Sequence, residues 1–151
     1  MLSIKVITFF KKFDNIFLKE EIMTEKFEIY KCNICGNIIE ILKEGQGELI
    51  CCSEVMHKLE SKNEETIQEK HKPVFEINDK NIKIKVGSIP HPMTKEHYIN
   101  FIEAISLDEK YLYRKYLSKE EVAEFEFFCK TNKMKARELC NIHGLWETTN
   151  K

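Results

Sequence analysis

The sequence predicts an all-β chain in two unequal parts, a small cysteine-stapled unit and then an antiparallel β-sandwich. Three observations predict it. Apolar and charged residues alternate with period two in Ile82-Lys83-Ile84-Lys85-Val86, and again where Ala123, Phe125 and Phe127 alternate with Glu124 and Glu126, the pattern of strands with one buried face. Cys32, Cys35, Cys51 and Cys52 crowd into a segment too short to bury a core unaided. Between the two parts, residues 58–70 (KLESKNEETIQEK) are polar and charged, the composition of a linker. The expected division is therefore an N-terminal extension 1–23, a metal unit 24–60, a linker 61–70 and a sandwich 71–151.

Residues 1–23 hold only short apolar runs, broken by Lys11, Lys12 and Asp14. Such runs cannot span a bilayer, and no small-residue cleavage site follows them, so neither a membrane anchor nor a signal peptide is expected. The segment reads either as an amphipathic docking helix or as untranslated sequence before a true start at Met23. In the second reading Lys19-Glu20-Glu21 corresponds to a purine-rich ribosome-binding sequence, and that reading is favoured. A cytoplasmic protein follows from the lack of secretory context.

In the small unit, Gly36, Gly45 and Gly47 supply turns, while Ile38–Leu42 and Glu48–Ile50 read as short strands. Six cysteines raise the question of disulfides, but Cys51 and Cys52 are adjacent and a bond between neighbours is strained. Four thiolates on one tetrahedral metal staple the unit instead, with zinc and iron equally compatible with the spacing. The vicinal pair forces an irregular tetrahedron.

In the second part, Val74–Ile77 reads as the hairpin partner of Ile82–Val86 across Asn78–Asn81. Tyr111–Leu117 is rich in strand formers. Residues 98–105 fit either period, and Glu120-Glu121 could open a helical turn, although the alternation after them argues for strand. At 151 residues with 42% hydrophobic content the chain can bury a core. A net charge of -1, with no basic patch, excludes a nucleic-acid partner.

The chemistry lies near the C-terminus. Cys140-Asn141-Ile142-His143-Gly144 is a Cys-x-x-His chelating unit followed by a glycine that frees the turn. Of the five histidines, His71, His91, His97 and His143 lie in the expected sandwich segment 71–151, and His57 lies apart. Four imidazoles and one thiolate are too nitrogen-rich for structural zinc and suit iron, copper or nickel. Five protein ligands on an octahedral ion leave one position open, the mark of a reactive centre.

Four motifs then occur in order: Tyr30-Lys31-Cys32-x-x-Cys35-Gly36-Asn37 with Cys51-Cys52; Glu69-Lys70-His71-x-Pro73-Val74; His91-Pro92-Met93-x-x-Glu96-His97-Tyr98-Ile99; and Cys140-Asn141-x-His143-Gly144-Leu145-Trp146. With them the chain, from about Glu28 to Trp146, resembles the desulfoferrodoxins, two-iron superoxide reductases. The resemblance implies a desulforedoxin-like, rubredoxin-type domain whose iron is bound by Cys32, Cys35, Cys51 and Cys52. It implies an immunoglobulin-like sandwich whose second iron is held by His71, His91, His97 and His143 in a plane, with Cys140 axial and the sixth position free for superoxide. It further implies reduction of superoxide to hydrogen peroxide, re-reduction by rubredoxin or a similar donor, and a homodimer.

Within that resemblance Lys70 gains a role. By composition it is a solvated linker lysine, but beside His71 its ammonium is placed to attract superoxide and organise proton-donating water. Glu69 matches the carboxylate that fills the sixth position of the ferric ion. Glu96 suits either a hydrogen bond behind His97 or solvent. Amide groups of Ile142 or His143 are candidates to hydrogen-bond the Cys140 sulfur, and Trp146 is expected to pack beside the site. The sequence departs from the family where Ser53-Glu54-Val55-Met56 replaces Gly-x-Pro-Met and where Phe101 stands in place of a Trp, with no ligand lost. Cys129 is expected to be a buried strand residue facing the core, and His57 a surface residue. Two other functions compete. A pure electron carrier would have a closed second centre, and a zinc-stabilised binding module would have no redox chemistry.

Overall fold

A computed structural model describes residues 23–62, 68–78, 81–131 and 133–150. The expectations for residues 1–22 lie outside the described residues. Five short strands build the first part: β1 (Ile29–Lys31), β2 (Ile38–Glu40), β3 (Ile50–Cys51), β4 (Glu54–Val55) and β5 (His57–Lys58). β1 lies between β2 and β5 in one small antiparallel sheet, and β3 pairs with β4 in a hairpin. A single helical turn, α1 (Gln68–His71), leads into the second part. There follow β6 (Pro73–Ile77), β7 (Asn81–Val86), β8 (Ile99–Ser106), β9 (Leu112–Tyr116), β10 (Glu124–Phe128), β11 (Met134–Cys140) and β12 (Gly144–Thr149). No helix among the described residues is long and apolar enough to cross a membrane.

The second part is an antiparallel sandwich of the immunoglobulin-like kind, with sheet order β10-β7-β6 facing β12-β11-β8-β9. The alternation read at Ile82–Val86 is the observed burial of β7, whose Ile82, Ile84 and Val86 enter the core while Lys83 and Lys85 stay half-exposed. From the opposite sheet, Ile99, Ile102, Ala104, Met134, Ala136 and Cys140 meet them. The β6–β7 hairpin forms as expected, with Val74 opposite Lys85 and Ile77 opposite Ile82. Glu120 lies in a turn at φ 70° rather than in a helix.

β8 could not be read from alternation because both of its faces are buried. Ile102 and Ala104 face the sandwich core, whereas Phe101 packs with Leu139 and Leu145 against Ile29 and Leu59 of the small unit. The pairing of β8 with β11 also slips at its end. Leu139 is opposite Phe101 but Cys140 is opposite Ile99, so Asn100 is the extra residue of a bulge. The slip turns Ile99 inward beside Cys140, and bulges commonly re-aim side chains in this way next to sites.

The small unit is joined to the sandwich by charge as well as by apolar contact. Glu103 on β8 is fully buried and is paired with both Arg114 and Arg137. Arg137 also donates to the Phe27 carbonyl at 2.7 Å and to Glu40 at 3.1 Å, and Arg114 reaches Glu40 at 2.6 Å. Both carboxylates therefore have guanidinium partners, and the cluster crosses the junction between the two parts. Removing one member of a buried ion cluster strands the others without water. Glu103→Ala should therefore lower the unfolding free energy by about 3–5 kcal/mol, measured as a shift in the urea midpoint.

Candidate metal centres

The first cluster sits at the tips of the small unit. Cys32 and Cys35 flank a tight turn closed by the Gly36 N–H on the Cys32 carbonyl at 3.0 Å, with Gly36 at φ 78°. Cys51 ends β3, and Cys52 and Ser53 follow with φ of 51° and 64°, left-handed values that side chains adopt with strain. These turns are how adjacent thiols come to face one site. The Cys35 sulfur lies 3.5 Å from that of Cys51, which lies 4.0 Å from that of Cys52. All four sulfurs fall within 4.8 Å of one another. Backbone N–H groups of Cys35 and Ile34 aim at Cys32 and pull its thiol down to about 7, a thiolate-favouring setting. His57, as expected, is exposed on β5.

The second cluster gathers at one end of the sandwich, where chain segments enter and leave the sheets. His71 closes α1 just before β6, and His91 and His97 lie on the connection from β7 to β8. Cys140 ends β11, and His143 is in the three-residue turn 141–143 that leads to β12. Gly144, opposite Cys140, takes φ 82°, the left-handed position such a hairpin turn requires. The Cys140 sulfur is 3.7 Å from His91 Nε2 and 3.5 Å from His143 Nδ1, and His143 Nδ1 is 3.1 Å from His97 Nε2. The His71 ring lies 4.5 Å from that of His143 and 4.9 Å from that of His91. The sequence-predicted set of four imidazoles and one thiol is thus brought together.

The donors fit a cation. His71 and His91 are buried, and burial above all, then neighbouring imidazoles, holds each down to about 4, so both are neutral bases near pH 7. His97 is lowered for the same reasons, with Lys70 contributing. Burial pushes the Cys140 thiol up, while the N–H groups of His143 and Ile142 oppose it by bonding to the sulfur, as anticipated. Neutral imidazoles each offer a nitrogen lone pair, and one metal ion can accept several of them at once.

Three supporting residues escaped the sequence reading. Glu138 on β11 is fully buried, and its carboxylate has no hydrogen-bond partner but approaches His71 Nδ1 at 3.6 Å. A carboxylate behind a ligand imidazole turns the opposite ring nitrogen toward the metal. Burial alone holds its carboxyl well above the usual range. Strand parity places it on the core side with Ala136 and Cys140, and its charge hides the alternation of β11 in the sequence. Asn141 bonds the backbone on both sides of His97. Gly87, at φ 77°, is the third. Glu96, for its part, is exposed, and Trp146 is buried and stacked on His71 at 5.2 Å. Cys129 is half-buried just past β10 and packs against the core.

Lys70 and Glu69 are both exposed on α1, one turn whose backbone is clasped by the loop after β7. The Glu69 carbonyl accepts from Ile89 N–H at 2.9 Å and from Ser88 Oγ at 3.3 Å. A Cβ on Gly87 would sit 2.6 Å from that carbonyl oxygen and 2.7 Å from the Lys70 carbonyl carbon. Gly87→Ala combines a backbone clash with a disfavoured φ, and should destabilise the protein by about 1–3 kcal/mol in chemical denaturation.

Comparison with known proteins agrees with this geometry. The family model for desulfoferrodoxin matches residues 63–149, and that for the desulfoferrodoxin N-terminal domain matches residues 24–59. A desulfoferrodoxin homolog from Archaeoglobus fulgidus is 42% identical over 83% of this chain and 99% of its own. A desulfoferrodoxin from Syntrophotalea carbinolica is 44% identical over 83% of this chain and 98% of its own. The crystal structure of the superoxide reductase from Treponema pallidum superposes with a TM-score of 0.63 at 26% identity, covering 85% of this chain and 98% of that one. The four-cysteine cluster and the histidine-cysteine cluster fit the two iron sites of such a protein. On both its domains and both its ligand sets, the chain belongs to the desulfoferrodoxin family.

Proposed function

We propose that the chain is a superoxide reductase, converting superoxide, one electron and two protons to hydrogen peroxide at the centre formed by His71, His91, His97, His143 and Cys140. The observation that carries this reading is the donor set itself: four imidazoles and one thiol meeting at a sandwich end, with His97 and His143 on the half-exposed side. The superoxide reductase of Treponema pallidum shares the fold over most of this chain, which supports it. In the proposed division, residues 24–60 form the small iron domain, 61–70 the linker and 71–151 the catalytic sandwich.

His71, His91, His97, His143 and Cys140 would hold an iron ion, which in its ferrous state would supply the electron. The remaining tasks belong to side chains. Lys70 lies one residue from His71, and its charge is felt by His91 and His97, so it stands where an incoming anion would be drawn. A cation at the mouth of a site speeds anion encounter and orders water for proton delivery. Cys140, on the buried side, would bind the iron as a thiolate and donate charge to it, as thiolates do in haem proteins, which would favour protonation and release of the product. Glu69 would be the residue to approach the iron when oxidised and to withdraw when it is reduced, a movement open to an exposed side chain.

One electron is consumed in each turnover, so an external donor such as rubredoxin is required. The working unit is proposed to be a homodimer in the cytoplasm.

The test is rapid mixing of reduced protein with superoxide. The reading requires oxidation of the histidine-rich centre with one peroxide formed per electron and no dioxygen. Dioxygen release at the dismutation ratio, or no reaction beyond that of a closed electron carrier, overturns it. Lys70→Ala should slow the bimolecular step about 10-fold at low ionic strength, with the loss shrinking as salt rises and the iron spectrum unchanged. Glu69→Ala should alter the ferric absorption spectrum and leave most of the rate in place.

A further inference from the structure

Asn141 follows Cys140 directly, yet its side chain ends on the backbone around His97. Its Oδ1 accepts from Tyr98 N–H at 2.8 Å, and its Nδ2 donates to the Glu96 carbonyl at 2.8 Å. Its own backbone N–H donates to the Tyr98 carbonyl at 3.0 Å. His97 is therefore bracketed on both sides from the residue beside the sulfur ligand. Apart from the ring contact of His97 with His143, the other bonds of the His97 turn are internal to it: Thr94 N–H to the His97 carbonyl at 2.9 Å and His97 N–H to Thr94 Oγ1 at 3.1 Å. Those bonds shape the turn without fixing it to anything. Further back, the loop is anchored at Met93, whose carbonyl accepts from Glu120 N–H at 2.8 Å and whose sulfur accepts from Ile99 N–H at 3.3 Å. Of these ties, those from Asn141 are the ones that set His97 against Cys140.

We propose that Asn141 is a positioning residue of the histidine-rich centre, holding His97 in register with Cys140 before a metal arrives. A ligand on a loose turn must be ordered as the metal binds, whereas one already tied is presented in place. The role calls for a group that accepts on one side and donates on the other over a short reach. A primary amide does both, and alanine does neither.

The inference rests on the reading of this cluster as an iron site, and the test uses the protein carrying both irons. Iron release to a chelator is followed separately at each centre by its own absorption, for the parent, Asn141→Ala and Thr94→Ala. Loss of such an outer partner typically weakens metal binding 10- to 100-fold. Asn141→Ala should therefore release iron from the histidine-rich centre roughly 10- to 100-fold faster. It should also shift that centre's thiolate-to-iron absorption band and leave release from the four-cysteine centre unchanged. Thr94→Ala, which loosens the turn without cutting its tie to Cys140, should stay near the parent. Release at the parental rate from Asn141→Ala overturns the proposal. So does equal acceleration at both centres, which would mark a general loosening of the fold. A parent protein holding iron only in its four-cysteine site defeats the reading of the second centre, and this inference with it.

Discussion

Everything at the functional end of this protein depends on one electrostatic problem. Two buried imidazoles, two half-buried ones and a buried thiol share a space in which nitrogen and sulfur approach within 3.1–3.7 Å. Burial keeps His71 and His91 from taking up a second proton, so each presents a nitrogen lone pair to the shared space. A cation answers those lone pairs, and the sandwich serves as a frame that brings three separate chain segments to it. Antiparallel strands suit the task because each strand end is a fixed point, and α1, the β7–β8 connection and the β11–β12 turn all end there.

The ligands themselves were legible from residue type and spacing, since Cys, His, Pro and Gly carry their chemistry locally. The period-two strands β7 and β10 were legible for a similar reason, each having one wet face. β8 was not, because the small unit covers its outer side and removes the alternation. Glu138, Asn141 and Gly87 could not be found from spacing, since each acts across the fold: Glu138 on His71, Asn141 around His97, and Gly87 against the Glu69–Lys70 backbone. The stretch read as a plain linker is also partly built in. The Lys62 N–H donates to the Leu145 carbonyl at 2.9 Å, beside Trp146, and Gln68–His71 is helical.

The two iron sites rest on different physics. The cysteine site is held by a few turns whose left-handed residues, Cys52 and Ser53, are tolerable where the metal closes the loop. The second site is held by the sandwich core and by backbone hydrogen bonds between loops. Between them, hydrophobic contact at Ile29, Phe101, Leu139 and Leu145 is supplemented by the buried charges of Glu103 and Arg137.

That junction bears on modularity. The outer surface of β8 and β11 has been committed to its neighbour: it presents an apolar strip and a guanidinium whose acceptors include the Phe27 carbonyl and Glu40 of the other unit. A sandwich severed from its companion would expose a greasy, cationic flank ill suited to solitary life. A lone version of this catalytic half would need a rewritten exterior, and not merely a shorter chain.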